Sequence, residues 1–122
     1  DSPFADASEL LAREAARKTP IPGWFTPIFI PAAKLMADGI YGIDIGSLVP
    51  ERAVSRLDYP VLVIHGLADE RIPWQQGQRV VAAAKEGSSL WLLPGVGHLD
   101  AFLTHPDGYV ERVNDYFESR LR

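Results

Sequence analysis

The sequence predicts an α/β fold, in which two short parallel strands lie between flanking helices. Three observations carry this expectation. Residues 61 to 64 and 90 to 93 are apolar at every position rather than at alternate ones, as in strands covered on both faces. A helix-forming stretch, residues 74 to 85, separates them, and strand–helix–strand order favours a parallel crossover. Each strand stops at glycines and is followed by an acid–base side chain, Asp69 after the first and His98 after the second.

The elements follow in chain order. Residues 7 to 18 are rich in helix formers, with Asp6 or Ser8 as N-cap. Glu9 stands early in that helix and Arg17 and Lys18 late, as the helix dipole prefers. Residues 19 to 23, Thr-Pro-Ile-Pro-Gly, end it, because proline cannot continue a helix. Residues 24 to 42 are the least polar stretch, with Trp24, Phe25, Ile28, Phe29, Ile30, Leu35, Met36, Ile40 and Tyr41. Pro27 and Pro31 suit a first turn or two, so a helix is predicted over residues 27 to 38. A segment this apolar is expected in the core. The alternative is an acyl-pocket wall formed by Trp24, Phe25, Phe29, Met36 and Tyr41.

Residues 42 to 50 read as a loop and residues 51 to 57 as about two helical turns. The helix over residues 74 to 85 is expected to bury Val80, Val81 and Ala84 and to end at Gly87. The last helix is predicted over residues 106 to 121, with Pro106 in its first turn. Its stripe is Tyr109, Val110, Val113, Tyr116, Phe117 and Leu121. Two parallel strands do not make a stable sheet alone, so the chain is expected to be part of a larger one. Asp1 to Asp6 reads like a chain entered in mid-fold and has no signal-peptide pattern.

Composition narrows the function classes. The chain has 122 residues and a net charge of −4, with no basic patch, which argues against a nucleic-acid partner. It has no cysteine, so disulfides and cysteine-based zinc sites are excluded. No apolar run reaches the roughly 18 residues of a membrane span. The expectation for localisation goes no further than a soluble chain, the cytoplasm favoured over secretion.

In open α/β sheets, sites form beyond the carboxyl ends of the strands. His65-Gly-Leu-Ala-Asp69 and Pro94-Gly-Val-Gly-His98 both fall there. Adjacent strands about 4.8 Å apart would bring Asp69 and His98 within hydrogen-bonding range. A carboxylate on the imidazole Nδ1–H fixes the tautomer, and the other nitrogen can then take a proton from a nucleophile.

From Asp1 to its end, the chain resembles the C-terminal half of an α/β-hydrolase. The resemblance lies in residues 60 to 73 (PVLVIHGLADERIP), 93 to 98 (LPGVGH) and 106 to 117 (PDGYVERVNDYF). It implies a partial α/β-hydrolase fold. The last two parallel strands would be followed by the C-terminal helix, with Asp69 the acid and His98 the histidine of a Ser-His-Asp triad. It implies one segment over residues 1 to 122. Within it, residues 1 to 59 would be a helical cap or pocket-flanking region, and residues 60 to 122 would carry the acid and histidine. The substrate class implied for the intact protein is an ester, thioester or amide.

The departure from the family is the missing G-x-S-x-G elbow. Ser2, Ser8, Ser47, Ser55, Ser88, Ser89 and Ser119 all lack that context, although Ser2 is the most tempting. No nucleophile, cofactor or metal site is therefore assigned within the chain. Asp69 has a plainer reading as the cap of its own turn, and Glu70 is the rival acid. His65 is expected to be a packed, hydrogen-bonded structural residue, His105 to be exposed before Pro106, and Asp100 to be solvated or to stand behind His98. A metal site of His65, Asp69 and His98 lacks any supporting ligand spacing. The alternative to a hydrolase segment is a non-catalytic structural or assembly domain. An unpaired strand edge predicts homo-oligomers or association through that edge.

Overall fold

The computed structural model describes residues 1–18 and 23–120. Helix α1 (Ala7–Lys18) precedes a 3₁₀ turn at Gly23–Phe25 and helix α2 (Thr26–Tyr41). A second 3₁₀ turn, Ile45–Ser47, leads to α3 (Pro50–Val54) and strand β1 (Leu62–Gly66). Then come α4 (Trp74–Ala83), β2 (Ser89–Leu93), α5 (Ala101–Thr104) and α6 (Pro106–Glu118). The two strands run parallel, from Leu62 opposite Ser89 to Gly66 opposite Leu93. The described chain is therefore α/β, with one two-stranded parallel sheet.

Both faces of that sheet are covered. On one, Val63 packs with Ala5, Val54 and Val80 of α4. On the other, Ile64 and Leu93 pack with Val96 and Ala101, and Tyr109 and Val113 of α6 lie against them. Successive strand residues point to opposite faces, so a strand buried on both sides needs apolar residues throughout. Each such side chain contributes roughly 1.5–3 kcal/mol on burial.

Polar contacts tie the helices to this core. Asp6, rather than Ser8, caps α1, its carboxylate accepting from the Ser8 and Glu9 N–H groups at 2.7 and 3.3 Å. The Ser8 hydroxyl instead accepts from Lys34 of α2 at 2.9 Å. Arg79 of α4 bridges Glu9 of α1 and Glu51 of α3. Tyr116 of α6 donates its hydroxyl to the Pro60 carbonyl at the entry to β1.

Several expectations change. Helix α2 continues past residue 38 to Tyr41. It stops at Gly42, whose left-handed backbone (φ 64°) lets its N–H close on the Asp38 carbonyl at 2.9 Å. Its apolar side chains are not core. Trp24, Leu35 and Tyr41 are each 74% exposed, and Ile28, Met36 and Ile40 more than half. The reason is geometric: α2 packs mainly on α1 and the two 3₁₀ turns, and these neighbours cannot cover a helix that is apolar all round.

Helix α3 has five residues rather than two turns. The chain then tightens through bonds from Arg56 to Ala53 and from Leu57 to Val54. Helix α4 ends at Ala83 because Ala84 is already extended, so Gly87 serves the following turn and not the helix end. There the Ser88 hydroxyl donates to the Lys85 carbonyl at 2.6 Å and accepts from the Val61 N–H at 2.9 Å, fixing β2 beside β1. Of the α6 stripe, Tyr109, Val113 and Tyr116 are half-buried, whereas Val110 and Phe117 are exposed. The expected helix stop at residues 19 to 22 and Leu121 lie outside the described residues. Among the described residues no helix is long and apolar enough to cross a membrane.

Candidate active site

The site begins with the level ends of the two strands. Beyond Gly66 and Leu93 the two following loops bond to each other. The Leu67 N–H donates to the Leu93 carbonyl at 2.9 Å and the Ala68 N–H to the Val96 carbonyl at 3.0 Å. Residue 66 must be glycine for this approach, because a Cβ there would lie 2.2 Å from the Val96 carbonyl oxygen. The loop that carries His98 therefore crosses directly over the end of the strand that leads to Asp69.

This crossing brings Asp69 and His98 together. Their Nδ1–Oδ2 distance is 2.8 Å. The Asp69 side chain is fully buried, and that of His98 is 21% exposed. The other carboxylate oxygen, Oδ1, accepts from the backbone N–H groups of Arg71 and Ile72 at 2.9 and 2.8 Å. Burial pushes the Asp69 carboxyl up. Hydrogen bonds from the Ile72 N–H, His98 and the Arg71 N–H, with the Ser2 hydroxyl nearby, outweigh burial and hold its pKa below the usual aspartate value. An ionised carboxylate only accepts, so Nδ1 of His98 carries a proton, and in the neutral ring Nε2 presents the lone pair. Among the described residues nothing is hydrogen-bonded to that Nε2.

Backbone strain gathers around the pair. Among the described residues the only non-glycine positions with positive φ are Ser2 (46°) and Leu99 (60°). Leu99 follows His98 directly. Ser2 is 4% exposed, donates its N–H to the Ile64 carbonyl at 2.8 Å and turns its hydroxyl towards Asp69. Each such residue costs about 1–3 kcal/mol, held in place by its surroundings.

The other predicted residues take different places. Ser2 stands on the acid's side of the pair, where its hydroxyl donates to Asp1 Oδ1 at 3.4 Å and lies near the Asp69 carboxylate. Ser47, Ser55, Ser88 and Ser119 donate to nearby backbone carbonyls, and Ser8 accepts from Lys34. Ser89 opens β2. Glu70 and Asp100 are exposed, and His105 is exposed at the start of α6. His65 is completely buried, its Nε2 at 2.9 Å from the Ile72 carbonyl. Among the described residues no cluster of three His, Asp or Glu side chains is arranged to hold a metal ion.

The sequence reading missed Ser2 as a neighbour of Asp69 and the two N–H groups on Oδ1. The second had a local signal, since aspartate commonly bonds the backbone two and three residues on. The first had none, being a contact between distant parts of the chain.

The geometry defines a class of protein only as far as an α/β chain with a buried Asp–His pair beyond its strand ends. No protein-family model matches it. Part of the chain is similar to the uncharacterized protein YfhR of Escherichia coli, 44% identical over 63 residues, which are 51% of this chain and 22% of that protein. The protein of the same name from Salmonella typhi is 36% identical over 75 residues, 60% of this chain and 23% of the relative. The chain thus matches less than a quarter of the length of either relative.

Proposed function

We propose that this chain supplies the acid and the histidine of a serine-hydrolase triad of the α/β-hydrolase kind, acting on ester, thioester or amide bonds. The observation that carries the reading is the 2.8 Å bond between a buried, multiply hydrogen-bonded Asp69 and His98 Nδ1, which leaves Nε2 without a partner among the described residues. In the proposed reaction Nε2 takes the proton of a serine hydroxyl as that oxygen attacks the acyl carbon. It then returns the proton to the leaving group, and the sequence repeats with water. Asp69 holds the tautomer and stabilises the imidazolium. The serine and the oxyanion-binding N–H groups would come from residues outside this sequence. The preference for parallel strands with the pair at their carboxyl ends supports the fold half of the proposal.

The test uses the protein expressed from its whole reading frame and a short-chain p-nitrophenyl ester. His98→Ala is expected to lower kcat by about 10⁴-fold or more, and Asp69→Asn by about 10⁴-fold. Turnover unchanged in His98→Ala sinks the proposal. The competing reading, a structural domain without chemistry, is favoured by the absence of a serine hydrogen-bonded to His98 among the described residues. It predicts no ester turnover and no fluorophosphonate labelling in the whole-frame protein.

A further inference from the structure

We infer that His65 is a positioning residue for the Asp69–His98 pair, acting through the backbone of Ile72. The inference rests on the reading of that pair as acid and base, and it adds a third residue to its support. His65 lies on β1, four positions before Asp69, with its side chain wholly buried. Its Nε2 is 2.9 Å from the Ile72 carbonyl oxygen and 3.5 Å from Asp69 Oδ2. A carbonyl and an ionised carboxylate only accept, so Nε2 carries the proton.

The rest of the ring sets the argument. Nδ1 is buried with no hydrogen-bond partner among the described residues. It faces Gly77 of α4 so closely that a Cβ there would lie 2.7 Å away. Packing alone does not call for such a residue: an aliphatic side chain would fill the same strand position and leave no polar atom stranded. The Nε2–H bond is what distinguishes histidine here. Its acceptor belongs to Ile72, and the N–H of that same residue donates to Asp69 Oδ1 at 2.8 Å. His65 therefore anchors the residue that anchors one oxygen of the acid, and the other oxygen is left aimed at His98. Glycine at position 77 is the condition for the ring to fit.

Nitrogen-15 and proton NMR of the protein expressed from its whole reading frame test this without any need for turnover. In the unsubstituted chain the His65 ring is expected to carry its proton on Nε2, and His98 Nδ1–H to give a far-downfield resonance from its bond to Asp69. His65→Gln keeps an N–H donor near the Nε2 position and is expected to keep that resonance. His65→Met removes the donor at similar size and is expected to lose it. Gly77→Ala drives the ring off the Ile72 carbonyl and is expected to lose it as well, which decides the matter should His65→Met fail to fold. A His65 ring protonated on Nδ1, or a His98 resonance unchanged in His65→Met or Gly77→Ala, overturns the inference. The catalytic reading fails separately, through ester turnover that survives His98→Ala while these resonances stay as expected.

Discussion

Replacing Gly66 by alanine separates the close approach at the strand ends from every generic effect of the substitution. Gly66 is not among the glycines with positive φ, so its backbone conformation admits alanine. Without a steric conflict, Gly→Ala would stabilise the chain by about 0.4–1 kcal/mol through the unfolded state. The structure reverses that sign. The new Cβ would sit 2.2 Å from the Val96 carbonyl oxygen and 2.8 Å from that of Gly97, where ordinary contact begins at 3.4 Å. Both neighbours are backbone and cannot rotate away, so the loop must retreat by about 1 Å. The Ala68–Val96 bond at 3.0 Å and the Leu67–Leu93 bond at 2.9 Å then stretch beyond hydrogen-bonding range. The donors Leu67 and Ala68 are exposed, so two lost bonds cost about 1–3 kcal/mol. Urea unfolding of the protein expressed from its whole reading frame measures this as a lower midpoint at constant slope. His98 lies two residues beyond Val96, so the whole-frame protein is also expected to lose about 100-fold in turnover from a misplacement of this size. A midpoint equal to or above that of the unsubstituted chain would refute the reasoning, because it would show that the loops do not meet across residue 66.

The remaining predictions concern the acid, the surface ion pairs and the α2 face. Asp69 has a folded pKa below its ordinary value of about 3.9, so the stability it contributes is complete above that pH and lost as pH falls through the folded pKa. The urea midpoint is expected to decline below about pH 4, and Asp69→Asn to flatten that part of the profile. Arg79→Ala removes contacts to Glu9 and Glu51, but the side chain is 38% exposed, so the loss read by urea unfolding is expected to stay within about 1 kcal/mol. The bare α2 surface and the unpaired strand edge predict self-association, visible by light scattering as a mass above that of one chain. Leu35→Ser, at a 74% exposed site, is expected to weaken that association while moving stability by less than about 0.5 kcal/mol.

The sheet and the meeting of Asp69 with His98 were legible because they rest on local signals. Apolar runs of four residues, a helix between them and glycines at their ends imply a parallel pair with meeting loops. The structure places Asp69 and His98 at 2.8 Å, as that arrangement requires. What was not legible depends on what lies across space. Hydropathy showed that residues 24 to 42 are apolar, yet it carries no information about whether a neighbour covers them; α2 is largely bare. Helix α5 is one turn of Ala-Phe-Leu-Thr, too short for any periodicity to mark. The Ser2 contact to Asp69 joins the chain's second residue to a strand end, and no spacing rule reaches that far.

In the geometry of Asp69, its turn-cap reading and the proposed triad role use different oxygens and are compatible. The turn-cap reading describes Oδ1, which accepts from the Arg71 and Ile72 N–H groups. The proposed triad role would use Oδ2, which meets His98 Nδ1. One oxygen fixes the carboxylate to its own loop, and only a carboxylate so fixed can hold an imidazole at a set angle across the strand ends. The turn is thus the means by which the pair is oriented. The same logic orders the surrounding residues. Gly66 lets the histidine's loop cross the strand, Ser2 meets the carboxylate, and Ile72 links Oδ1 to His65. The aspartate needs both kinds of contact at once, because burial alone would raise its pKa and leave the imidazole facing a neutral acid.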